Sequence, residues 1–103
     1  MAELRKKIFI VDDDPVLAEM LKDHLSKMTS YDISLFQTGE ECLQHLGEQP
    51  GIIFLDFYLN SVDKEAMDGL EVLQEVKKVD PEIDVVMLSG QDKIEVEIGR
   101  AHV

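Results

Sequence analysis

Three aspartates, Asp12, Asp13 and Asp14, stand side by side directly after the apolar run Ile8–Val11. Like charges repel, so the run needs a reason. One reason is local: an acidic turn capping a helix that begins with Pro15 at its first position. The other is chemical: carboxylates gathered around a hard cation, for which oxygen-only ligation suits Mg²⁺. Two further polar groups close apolar runs, Asp56 after Ile52–Leu55 and Ser89 after Val85–Leu88. Acidic ligands, a nucleophilic carboxylate and a hydroxyl able to bond a phosphoryl oxygen are the equipment for placing a phosphoryl group on an aspartate.

The elements that must position these groups follow from the apolar pattern. Ile8–Val11, Ile52–Leu55 and Val85–Leu88 are short runs suited to buried strands, and Ile33–Phe36 reads as the second strand of the chain. Between them lie helical stripes. Leu17, Met20, Leu21, Leu25 and Met28 recur at three- and four-residue spacing from Pro15 to about Thr29. Thr38 and Glu41 form a capping-box pattern before Leu43 and Leu46, and Asp68 and Glu71 form another before Leu70, Leu73, Val76 and Val79. Asp80-Pro81 stops the last of these helices, and Asn60 to Met67, without a period, is a loop. Strand and helix alternate, which predicts an α/β, doubly wound parallel sheet built from right-handed crossovers. In such a sheet ligands bind beyond the carboxyl ends of the strands. Asp12, Asp13, Asp56 and Ser89 all fall at that edge.

The bulk properties narrow the setting. A chain of 103 residues holds at most one domain, and a 45% hydrophobic fraction is ordinary for a globular one. A formal charge of −12 argues against a nucleic-acid or anionic-membrane surface. No apolar run approaches a bilayer span and there is no signal-peptide core, so the expected location is cytoplasmic. The single cysteine, Cys42, excludes an internal disulfide and is expected to be packed on its helix. His24, His45 and His102 lack metal-ligand spacing and are expected at the surface or in helix packing. Asp63, Glu65 and Asp68 are expected in a solvated loop.

The stretches "IFIVDDDP", "IIFLDFYL", "MDGLEVLQEVK" and "VVMLSG", in this order and spacing, resemble the receiver domain of two-component response regulators over residues 6 to 96. The resemblance implies a flavodoxin-like receiver fold. It makes Asp56 the phosphoacceptor, taking a phosphoryl group from a histidine kinase, a phosphotransfer protein or a small phosphodonor. Mg²⁺ would be held by Asp13, Asp56 and the backbone carbonyl of Tyr58, with Asp12 contributing mostly through bound water. Ser89 would be the switch hydroxyl that follows the phosphoryl group and moves a partner surface. Such a domain is a signalling phosphoacceptor, with at most self-phosphorylation from small donors and self-dephosphorylation, rather than an enzyme acting on outside substrates. It works through a downstream output domain or a partner protein.

Two features depart from the family pattern. Asn60 stands where the family has proline, and the loop from Asp56 to Gly69 is roughly five residues longer, within what surface loops tolerate. No lysine follows Lys93, so the family's strand-end lysine has no counterpart. The expectation is therefore a fold lacking its last strand and helix, with the fourth strand left as a bare apolar edge prone to self-association and low stability. The final "EIGRAHV" resembles a translated sequencing-adapter read. Residues 1–96 are accordingly read as an incomplete receiver domain and residues 97–103 as a non-native tail.

Rival readings share some of these residues. Asp12-Asp13-Asp14-Pro15-Val16 also fits the Asp-x-Asp pattern of haloacid-dehalogenase-type phosphatases, with Asp12 as nucleophile, Asp14 as acid/base and Ser89 in the second motif. That reading leaves Asp56 without a task. A third is a receiver-like interaction module that takes no phosphate.

Overall fold

A computed structural model describes residues 5–89 and 95–99, with Ser89 and residues 95–99 described by their backbone. The elements are β1 (Lys7–Val11), α1 (Pro15–Ser26), β2 (Asp32–Phe36), α2 (Gly39–Gln44), β3 (Ile52–Asp56), α3 (Gly69–Val79), β4 (Asp84–Ser89) and β5 (Glu95–Gly99). They form one sheet in the order β2-β1-β3-β4-β5. The first four strands are parallel, as alternation with helices requires. β5 runs antiparallel along β4, pairing Val85 with Gly99 and Ser89 with Glu95. The β4 edge expected to stand bare is thus paired among the described residues.

Alternate side chains of β1 go to opposite faces, and both faces are covered. Phe9 and Val11 join Ile53, Leu55, Cys42, Val72, Val76 and Val85 under α2 and α3. Ile8 and Ile10 join Ala18, with Leu21 and Leu25 of α1 packed beside them. Two-sided burial explains why β1 and β3 read as continuous apolar runs rather than alternating ones. Cys42 is fully buried, and burial pushes its thiol up to about 12. None of the described helices is long and apolar enough to cross a membrane.

The helix ends follow their sequence signals closely. Asp14 accepts from the backbone N–H of Val16 at 2.9 Å and of Leu17 at 3.3 Å, and Pro15 opens α1. Asp68 and Glu71 close a reciprocal capping box. At α2 the box is shifted. Thr38 accepts from the Glu41 N–H, but the Glu41 carboxylate reaches the N–H of Gln37 instead of Thr38. α2 is also short, ending at Gln44, and Leu46 is buried from the 3₁₀ turn that follows.

The helical stripes need correction. On α1 the face against the sheet is centred on Ala18, Leu21 and Leu25, whereas Leu17 and Met20 are exposed, as is Met28 in the turn beyond the helix end. On α3, Val72 and Val76 are buried, while Leu70 and Val79 are exposed. In both helices the apolar residues span more of the circumference than one sheet face can cover, so the outer members stay in water.

α2 and α3 meet across Gly39. A Cβ at Gly39 would lie 2.1 Å from Val72 Cγ2. Gly39→Ala should therefore cost about 1–3 kcal/mol in urea unfolding, and less in a Val72→Ala background where the blocking methyls are gone. Equal costs in both backgrounds would show that the two helices do not clash there.

Candidate phosphoacceptor site

The register of β1 on β3 builds the site. Val11 pairs with Leu55, so Asp12 and Asp56 emerge together where the two strands end. Carboxylate oxygens of Asp12, Asp13 and Asp56 lie within 4.8 Å of one another. Asp12 is 8% exposed, and it is the one buried polar or charged side chain among the described residues. Its backbone N–H donates to the Phe36 carbonyl at 3.0 Å, which fixes the chain as it leaves β1. Its Oδ1 accepts from the Asp14 N–H at 2.9 Å. Asp56 Oδ1 accepts from the Tyr58 N–H at 3.1 Å.

The strand end carrying Asp56 is clamped on two sides. The Phe57 N–H donates to the Leu88 carbonyl at 2.9 Å, and the Phe57 carbonyl accepts from the Gly69 N–H at 3.1 Å. Gly69 has no substitute there, because a Cβ would come within 2.5 Å of the Asp56 carbonyl oxygen and 2.7 Å of Phe57 Cα. The long loop between Tyr58 and Asp68 is anchored as well. Leu59 is buried in the core, and the Met67 N–H donates to Glu40 Oε2 at 3.0 Å.

Asp13 is held from this loop. Its Oδ2 accepts from Ser61 Oγ–H at 2.7 Å and from the Val62 N–H at 3.2 Å. The Tyr58 carbonyl accepts from the Ser61 N–H at 3.2 Å. Neither Ser61 nor Val62 was legible as a site residue, since they lie 48 and 49 positions from Asp13 in a stretch without period.

Crowding shows in the proton affinities. Burial, foremost, pushes the Asp12 carboxyl up to about 7, against the Asp14 N–H and with Asp56 and Asp13 adding to the rise. Burial also raises Asp56, opposed by the Tyr58 N–H; Asp13 and Asp14 push it further up, while a hydrogen bond shared with Asp12 pulls it down. Burial thus raises the proton affinity of both carboxyls of the pair.

The donor set fits a hard cation. It consists of oxygens only, gathered closely enough that small rotations bring them to the ~2.1 Å ligand distances of Mg²⁺. Asp14 lies outside this set, and its carboxylate is spent on the α1 N-terminus. The local explanation of the aspartate run thus holds for Asp14, while Asp12 and Asp13 join Asp56 in an all-oxygen cluster. Ser89 closes β4 as expected, but its side chain, like the whole of Lys93, lies outside the described residues. His45 is exposed and rests on Phe36 with ring centroids 4.9 Å apart. Asp63 and Glu65 are exposed, and His102 lies outside the described residues.

A parallel sheet in the order β2-β1-β3-β4 with three carboxylates at its carboxyl edge defines a class, and the comparisons agree with it. Residues 8–101 match the family described as the response regulator receiver domain, and the chain belongs to that family. The nitrogen assimilation regulatory protein NtrX of Azorhizobium caulinodans is 33% identical, over 88% of this chain and 19% of that protein. The DNA-binding response regulator MtrA of Mycolicibacterium smegmatis is 33% identical, over 96% of this chain and 41% of that protein. The chain spans from about a fifth to two-fifths of the length of these relatives. The crystal structure of the NtrX receiver domain from Brucella abortus superposes with a TM-score of 0.71 at 30% identity, covering 82% of this chain and 68% of that one. A CheY-like receiver domain protein from Methanospirillum hungatei gives 0.73 at 26% identity, covering 87% and 68%.

The buried Asp12 gives a pH dependence of defined sign. With its carboxyl raised from 3.8 to about 7, the folded chain holds a proton that the unfolded chain has released. Stability of the metal-free protein should fall as pH rises through that window and level off above it. Thermal melts between about pH 5 and pH 8 should show this slope in the wild type and a flatter one in Asp12→Asn. Identical slopes would mean that Asp12 is not held protonated.

Proposed function

We propose that this domain takes a phosphoryl group onto Asp56 from a phosphohistidine of a histidine kinase or phosphotransfer protein, or from a small phosphodonor. The observation that carries the reading is the convergence of Asp12, Asp13 and Asp56 at the end of β1 and β3. An Asp56 oxygen attacks phosphorus, the P–N bond to the donor histidine breaks, and the released ring nitrogen takes up a proton. Asp13, Asp56 and the Tyr58 carbonyl would hold Mg²⁺, with Asp12 beside them. Bound Mg²⁺ supplies neutralisation of the charge shared by the carboxylates and the phosphoryl oxygens.

The chain's own groups do the rest. The Tyr58 N–H fixes one Asp56 oxygen. Gly69 and Leu88 keep the strand end from retreating. Ser89, at the end of β4, is the hydroxyl proposed to bond the phosphoryl group and carry the change to a partner protein or output domain. The activity is that of a switch with at most modest self-dephosphorylation. Asp14, engaged as the α1 cap, does not favour the phosphatase reading. Residues 1–96 are the proposed receiver unit; an intact genomic read across codons 94–103 that differs from "EIGRAHV" would support taking 97–103 as non-native, and an identical one would overturn it.

Labelling with a radioactive small phosphodonor and Mg²⁺ tests the acceptor. Asp56→Asn should abolish incorporation and Asp14→Asn should leave it near wild type, while Ser89→Ala should still be labelled but respond less in partner binding. Label that survives Asp56→Asn and is lost in Asp12→Asn would transfer the nucleophile to Asp12. Absence of label in the wild type would favour an interaction module.

A further inference from the structure

We propose that Ser61, supplied by the long loop after β3, is a positioning residue for the cation site. This rests on the reading that Asp13 and the Tyr58 carbonyl are metal ligands. Ser61 touches both of them. Its hydroxyl donates to Asp13 Oδ2 at 2.7 Å, and its backbone N–H donates to the Tyr58 carbonyl at 3.2 Å. The Val62 N–H joins it on the same Asp13 oxygen at 3.2 Å.

The physical effect is to turn a mobile carboxylate into an oriented one. Asp13 sits on a loop between β1 and α1, only partly buried, and would otherwise turn its carboxylate away from Asp12 and Asp56 to relieve repulsion. Two N–H and O–H dipoles on Oδ2 oppose that rotation. They leave the second Asp13 oxygen without a protein donor among the described residues. A carboxylate hydrogen-bonded on one oxygen and open on the other is the usual arrangement of a ligand with an outer partner. The same serine holds the Tyr58 carbonyl within one short turn of Asp56.

This role belongs to the inserted segment. The loop is longer than the family pattern, and the added length closes back over the acidic edge. The loop is anchored near both of its ends, with Leu59 in the core and Met67 bonded to Glu40 of α2. Ser61 is exposed, so its replacement leaves the core intact.

Calorimetric titration of MgCl₂ into the full 103-residue chain tests the assignment. Ser61→Ala should weaken Mg²⁺ binding roughly tenfold or more, the range seen when an outer partner of a metal ligand is removed. Ser61→Thr, which keeps the hydroxyl, should restore affinity to within about threefold of wild type. Thermal melting without metal should be nearly the same for all three. Binding abolished by Asp13→Asn yet unchanged or tightened in Ser61→Ala would overturn the role of Ser61 alone. A wild-type chain with no saturable Mg²⁺ binding would overturn the metal reading and this inference with it.

Discussion

The pairing of β1 with β3 is the constraint on which the rest of the molecule depends. Because Val11 stands opposite Leu55, the two strands run out of apolar residues at the same level, and aspartates emerge on both at once. A shift of the register by one residue would exchange the two faces of the strand, setting Phe9 and Val11 against α1 and Ile8 and Ile10 against α2 and α3. The hydrophobic packing that selects the register therefore also selects the carboxylate geometry. Core and site are specified by one choice.

That choice sets two forces against each other. Packing on both faces of the sheet is strong, non-directional and distributed over fifteen buried side chains. Carboxylate repulsion is local, and the protein answers it with backbone N–H groups: Asp14 toward Asp12, Tyr58 toward Asp56, Val62 toward Asp13. Burial, with the remaining repulsion added, appears as the raised proton affinity of Asp12 and Asp56. A domain that keeps crowded carboxylates at the end of a well-packed sheet is suited to gain free energy when a cation arrives.

Most of this was legible in the sequence where a short-range rule applies. The four parallel strands, the Asp14 and Asp68 caps and the edge holding Asp12, Asp13 and Asp56 follow from runs, caps and alternation. The helix faces were less legible. Leu70 and Val79 are as apolar as Val72, and which of them is covered depends on where α3 lies across the sheet, a tertiary fact. The same holds for Met20 against Ala18 on α1. The β5 pairing and the Ser61–Asp13 bond are long-range outcomes without local period, so no pattern in either segment announces its partner.

Cys42 carries a practical consequence. The chain's one thiol is wholly enclosed by the cluster that also contains Leu59 and Leu55, the residue before Asp56. A thiol so far from ionisation, and out of reach of solvent, is alkylated only in those moments when α2 lifts from the sheet. The rate at which a small maleimide captures Cys42 is thus a clock for opening of the core under the pocket. It runs without any introduced probe, and it registers whatever occupies the pocket only through the breathing of the packing beneath it.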